Sequence, residues 1–120
     1  MTTPGWTVVV VGAGRMGDIR ATDLASDPRV SEIVIANRTP ARADDLARRI
    51  GGRTVDWETA AQTPADAYVM ALATDAHGGM LDRLLEHGRP ILCEKPIALT
   101  IADTQRICDA VEKSGAPMQI

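Results

Sequence analysis

A doubly wound α/β domain built on a parallel sheet is the fold class that this 120-residue sequence predicts. Three observations carry the prediction. Short runs rich in Val and Ile recur along the chain, separated by segments whose apolar residues fall at helical spacing. These runs are continuously apolar rather than alternating, the habit of strands covered on both faces by helices. A glycine-rich segment, GAGRMG, follows the first run without a gap. Strands and helices alternating at this rhythm join through right-handed crossovers into one sheet of about six strands with helices on both faces.

Trp6 to Val11 is the first strand, its buried part a run of four valines. Arg15 to Ser26 follows as a helix that stops before Pro28, and Ser31 to Ala36 (SEIVIA) is the second strand. Thr39 is placed to cap the next helix and Pro40 sits in its first turn, where a missing N–H has no ladder partner to lose. Ala43, Leu46, Ala47 and Ile50 repeat at helical spacing before Gly51 closes that helix. Arg53 to Val55 makes a short strand and Trp57 to Ala61 a short helix. Ala67 to Ala73 (AYVMALA) is a longer buried strand, a helix around Gly79 to Glu86 stops at Gly88, and Pro90 to Cys93 (PILC) is a fifth strand. Thr100 caps a last helix in which Ile101, Thr104, Cys108 and Val111 line one side; Gly115 ends it and Pro117 to Ile120 begins a sixth strand.

Composition narrows the function classes. At 45% hydrophobic and 24% charged residues the chain suits one domain and is too short for two. A net charge of −3 with no cluster of Lys and Arg argues against a nucleic-acid partner, whose phosphates such clusters neutralise. The opening MTTPGW has neither the basic start nor the apolar core of a signal peptide, and no apolar run is long enough to span a bilayer, so no membrane partner and a cytoplasmic location are expected. Cys93 and Cys108 have no metal-site spacing and read as two buried, reduced thiols, with no metal expected.

The glycines carry the first chemical signal. In G-x-G-x-x-G between a strand and a helix, Gly12 supplies the tight turn, Gly14 lets the backbone approach a pyrophosphate, and Gly17 lets helix and strand pack closely. The unpaired N–H groups and dipole at that helix start favour an anion, and Ala13, Arg15 and Met16 are expected with the glycines to bind the cofactor. The segment reads as a dinucleotide site; a purely structural strand-to-helix turn is the bland alternative.

The end of the second strand bears on which dinucleotide. NAD sites place an acid there for the ribose 2′-OH, whereas an Arg suits a 2′-phosphate. Here Asn37 stands at that place, followed by Arg38 and Thr39. Arg38 can pair with a phosphate and stack on adenine, Thr39 can offer its hydroxyl if the helix cap does not use it, and the expected cofactor is NAD(P), leaning to NADP. Against this, Arg38 can be a solvated loop residue, and Asn37 can bond a plain ribose. The third signal is Glu94 and Lys95, at the carboxyl end of the fifth strand and stopped by Pro96. Ligands of open α/β sheets bind at carboxyl ends, where a Lys can hold a substrate oxygen and pass a proton; a surface salt bridge is the competing reading.

GAGRMG after the first strand, ATDAH after the fourth and CEKP after the fifth together resemble the N-terminal NAD(P)-binding domain of the Gfo/Idh/MocA oxidoreductase family, over essentially the whole chain. The resemblance implies a Rossmann fold and a parent enzyme that moves hydride between nicotinamide and a sugar, cyclitol or other polyol as small-molecule substrate. It implies that Lys95 is catalytic or orients the substrate, that Glu94 lies by the nicotinamide ribose, and that Ala73, Thr74 and His77 line the cofactor channel. It implies too a homo-oligomer and a C-terminal substrate domain absent from residues 1–120, so that this piece alone is expected to be inactive. Asp75 and Ala76 depart from the Pro-Asn often found in the family, and without the resemblance His77 reads as an exposed residue at a helix start.

A stand-alone NAD(P)-sensing module is the alternative from another class. It has no need of Lys-Pro after the fifth strand and favours an acid after the second, and CEKP and ANR count against it. A methyltransferase domain fits less well, because an acid usually ends its first strand and Val8 to Val11 are apolar.

Overall fold

The computed structural model describes residues 5–72 and 77–120. Its six strands are β1 (Trp6–Val11), β2 (Val30–Ala36), β3 (Arg53–Thr54), β4 (Ala67–Met70), β5 (Ile91–Cys93) and β6 (Met118–Gln119). They form one sheet in the order β3-β2-β1-β4-β5-β6, and every pairing is parallel. Helices α1 (Arg15–Ala25), α2 (Pro40–Ile50), α3 (His77–Leu85) and α4 (Ile101–Ser114) alternate with the strands, with a 3₁₀ turn at Trp57–Gln62. This is the doubly wound, Rossmann-type order.

The valine run shows why the sheet needs two covers. Side chains alternate across a strand, so Val8 and Val10 join Ile33 and Ile35 under Ala21 of α1 and Leu46 of α2. Val9 and Val11 join Val34 and Met70 under Leu81 and Leu84 of α3 and Ile107 of α4. All four valines are at most 2% exposed, and each contributes roughly 1.5–3 kcal/mol by its burial. On the second face Tyr68 stacks on His87 at 4.9 Å and its hydroxyl donates to Thr63 O at 2.7 Å, which satisfies the polar end of a fully buried ring.

Four expectations need correction. The strand expected to reach Ala73 ends at Met70: β1 and β5 end at Val11 and Cys93, its partners in register, and beyond them the Ala71 N–H bond to Val11 O and the Glu94 N–H bond to Met70 O close the pairing. Ala73 lies outside the described residues. Thr39 stands at the N-cap of α2 without a side-chain bond, because its own backbone carbonyl already accepts the Arg42 N–H at 3.0 Å. Thr100 does cap α4, its hydroxyl accepting from Asp103 N at 3.1 Å. The buried side of α4 centres on Ile107, with Thr104, Ala110 and Val111 half-buried, while Ile101 is 90% exposed at the helix's first position. Cys108 points to solvent with it, so Cys93 alone is a buried thiol.

Candidate functional site

The switch point of the sheet falls between β1 and β4, where the chain departs to opposite sides. A crevice opens there beyond the carboxyl ends, and the glycine turn crosses it. Gly12 has φ +110°, and a Cβ on it would lie 2.5 Å from Ala71 O at the end of β4. A Cβ on Gly17 would lie 1.9 Å from Gly12 O, so the first turn of α1 rests directly on the loop beneath it. Gly14 differs from both: a Cβ there would meet nothing within 4 Å. Two of the three glycines are required by packing, and the third borders open space.

That space lies at a helix start built to receive an anion. Gly14 is the N-cap of α1 with no side-chain cap bond, and the helical ladder opens with Asp18 N–H donating to Gly14 O at 2.9 Å. The N–H groups ahead of Asp18 therefore have no carbonyl in the ladder, and the helix dipole adds partial positive charge. A pyrophosphate fits this donor set, with Gly14 allowing close approach and Arg15 exposed beside it. Met16 is half-buried in the same turn.

Asn37 ties this loop to the end of β2. Its Oδ1 accepts from Ala13 N at 2.9 Å, and its Nδ2 donates to Thr39 O at 3.1 Å. One partner is a donor and the other an acceptor, which fixes the orientation of the amide. Its carbonyl oxygen thus braces the glycine loop from the end of β2. Arg38 is exposed, but it is held: its guanidinium carbon sits 5.3 Å from the centre of the Trp57 ring, a cation–π contact. The reading of Arg38 as a merely solvated loop residue gives way to an arginine shelved on an indole. A cavity of about 480 Å³ runs between the starts of α1 and α2, lined by Ala13, Gly14, Arg15 and Arg42 among others. Its floor is neutralised internally: Arg49 bonds Asp18 at 2.7 Å and Asp45 at 3.1 Å, and the Arg49 hydrogen bond holds the Asp18 carboxyl below its ordinary value. Arg15 and Arg42 have no such acid among the described residues.

At the end of β5, Glu94 N–H donates to Met70 O at 2.9 Å, which extends the pairing with β4 by one residue. The carboxylate pairs with Arg20 of α1 rather than with Lys95: Arg20 Nε lies 2.5 Å from Glu94 Oε1. The surface salt bridge weighed between the neighbours Glu94 and Lys95 does not form. Lys95 is exposed, with no ion pair among the described residues, and its bond to Pro96 is cis. Burial pushes the neighbouring Cys93 thiol up to about 11, with the Glu94 charge adding to the shift. Thr74 and Ala73 lie outside the described residues; His77 begins α3, and its side chain lies outside them as well. Arg20 went unnoticed in the sequence, where its place one turn beyond Gly17 was the only clue. No group of His, Cys, Asp and Glu able to hold a metal occurs among the described residues, and none of their helices is long and apolar enough to cross a membrane.

Comparison with known proteins agrees with this geometry. Residues 6–120 match the family model described as "Oxidoreductase family, NAD-binding Rossmann fold". The chain is 34% identical over 117 residues to "Myo-inositol dehydrogenase Hyg17" of Streptomyces leeuwenhoekii, covering 95% of this chain and 35% of that protein. A crystal structure of a putative myo-inositol dehydrogenase from Sinorhizobium meliloti 1021 superposes with a TM-score of 0.87 at 26% identity, over 93% of this chain and 34% of that one. That of GenD2 from gentamicin A biosynthesis, in complex with NAD, gives 0.85 at 28% identity over 97% and 34%. The chain thus spans about a third of the length of the curated relatives it matches. With the 3-2-1-4-5-6 sheet, the uncapped helix start and the matched span all in agreement, this chain belongs to the Gfo/Idh/MocA oxidoreductase family and forms its NAD-binding Rossmann domain.

Proposed function

We propose that this chain is the cofactor-holding domain of a dehydrogenase acting on a cyclitol or related polyol, with a preference for NADP(H) over NAD(H). The observation that carries the preference is the end of β2: the acid is absent, the Asn37 carbonyl accepts from Ala13 N, and the Arg38 that follows is held on Trp57, while Arg15 and Arg42 bring unpaired charge to the cavity between the starts of α1 and α2. A 2′-phosphate seated there meets guanidinium groups and the Thr39 hydroxyl, which no cap bond uses. The polyol substrate is suggested by the inositol dehydrogenases among the relatives. The match spans about a third of the relatives' length, which supports a second, substrate-shaping domain in the parent enzyme. The sensing-module alternative draws no support from the family match.

The pyrophosphate is held by the N–H groups at the start of α1, with Gly12, Ala13, Gly14 and Gly17 shaping the loop. The family resemblance assigns Ala73, Thr74 and His77, which follow β4 in sequence, to the cofactor channel. A bound nicotinamide dinucleotide supplies hydride exchange with the substrate carbon. Lys95, exposed beyond the carboxyl end of β5, hydrogen-bonds the substrate oxygen and holds or passes its proton; Glu94 stands by the nicotinamide ribose. The test is a titration of the chain with NADPH and with NADH, followed by energy transfer from tryptophan to nicotinamide. Tighter NADPH binding that is lost in Arg38→Ala is expected, and tighter NADH binding indifferent to that change refutes the preference. In the full-length enzyme Lys95→Ala should abolish turnover while cofactor affinity holds; unchanged turnover removes Lys95 from the chemistry.

A further inference from the structure

The Arg20–Glu94 pair joins residues 74 apart in sequence and links the two chemical ends of the crevice. Arg20 lies on α1, the helix whose N-terminus faces the pyrophosphate position. Glu94 is the residue between β5 and Lys95. The Glu94 side chain is 13% exposed, less than either partner of every other ion pair among the described residues. Pairs between exposed flexible side chains contribute little, but this one has a helix behind one partner and a backbone bond to β4 behind the other. The hydrogen bond to Glu94 raises the Arg20 pKa above its ordinary value.

We propose that Arg20 is a positioning residue for the nicotinamide end of the site: by clamping Glu94 to α1, it fixes the Glu94–Lys95 turn in register with the helix that receives the pyrophosphate. The inference rests on the reading of Glu94 and Lys95 given above. It predicts an effect confined to the far half of the cofactor, since the pyrophosphate donors belong to the first turn of α1 while Arg20 stands in the next turn with its guanidinium on Glu94. A merely structural salt bridge would loosen both halves alike.

The experiment compares two ligands on the full chain: NADPH, and adenosine 2′-phosphate 5′-diphosphate, which keeps the adenosine, the 2′-phosphate and the pyrophosphate but lacks the nicotinamide ribose. Arg20→Met is expected to weaken NADPH binding by about three- to tenfold and to leave the half-molecule unchanged, with Arg20→Lys falling between because it keeps the charge but loses the planar fork. Equal weakening of both ligands, or no change in either, overturns the clamp. Glu94→Gln measured in parallel separates the two layers of inference. If it fails to weaken NADPH relative to the half-molecule, the placement of Glu94 by the nicotinamide ribose is wrong. If it does so while Arg20→Met does not, only the clamp is wrong.

Discussion

Replacing Gly17 and Gly14 separately by alanine should divide packing from ligand binding within one six-residue motif. At position 17 the new Cβ would start 1.9 Å from Gly12 O, so the start of α1 must retreat by about 1 Å before the contact reaches 3.0 Å. The obstacle is a backbone carbonyl, so no side chain can swing aside; overpacking of this kind costs about 1–3 kcal/mol, with the upper end apt here. Alanine's helix propensity returns up to about 1 kcal/mol. A net loss of roughly 1–2 kcal/mol follows, or a fall of roughly 5–10 °C in Tm for a domain of this size. At position 14 the backbone is extended at φ −81°, ψ −158°, and nothing lies within 4 Å of the Cβ. Alanine there should change stability by no more than about 0.5 kcal/mol, because its smaller unfolded-state entropy and its poorer capping nearly cancel. The methyl group would, however, stand where the pyrophosphate comes close, and dinucleotide affinity should fall at least about tenfold, 1.4 kcal/mol. Thermal unfolding and a fluorescence titration on both variants measure the four quantities. Wild-type Tm in Gly17→Ala, or wild-type affinity in Gly14→Ala, would refute the division of roles.

Three further outcomes are expected. Asn37→Asp keeps an acceptor for Ala13 N but turns a carboxylate oxygen toward Thr39 O, so it should destabilise the domain by about 1–3 kcal/mol; the added charge should also lower the ratio of NADPH to NADH affinity, and an unchanged ratio counts against the 2′-phosphate site. Iodoacetamide should alkylate Cys108 in the folded chain and reach Cys93 only on unfolding, since Cys93 is fully buried with its thiol pushed up to about 11; peptide mass mapping reads both, and early Cys93 labelling would contradict its burial. The bonds from Arg29 hold the exposed Asp27 carboxyl down to about 2, so its contribution is present above the ordinary value of 3.8 and fades as pH falls through 2; an NMR titration should show this, and Arg29→Ala should return Asp27 to the ordinary range.

Local signals determined much of this molecule before any contact was known. The Pro40 and Gly51 ends of α2, the Thr100 cap of α4, the apolar strands and the GAGRMG turn each depend on residues within one or two turns of one another, and the structure has them where the pattern puts them. The alternation of those elements is enough for the fold, because a right-handed crossover leaves few ways to arrange parallel strands. Tertiary structure decided what depends on distant neighbours. The end of β4 was set by the lengths of β1 and β5. The buried side of α4 was set by the core around Ile107, which takes in Val111 but leaves Ile101 and Cys108 exposed although the sequence aligned all three. That Asn37 also braces the glycine loop was hidden in the sequence, because its partner Ala13 is 24 residues away. A salt bridge between Glu94 and its neighbour Lys95 was one of two readings open in the sequence, and Glu94 is held instead by Arg20, 74 residues earlier. Periodicity records which residues prefer burial and which loops turn; only the folded sheet brings α1 beside the end of β5 and determines which charge each side chain meets.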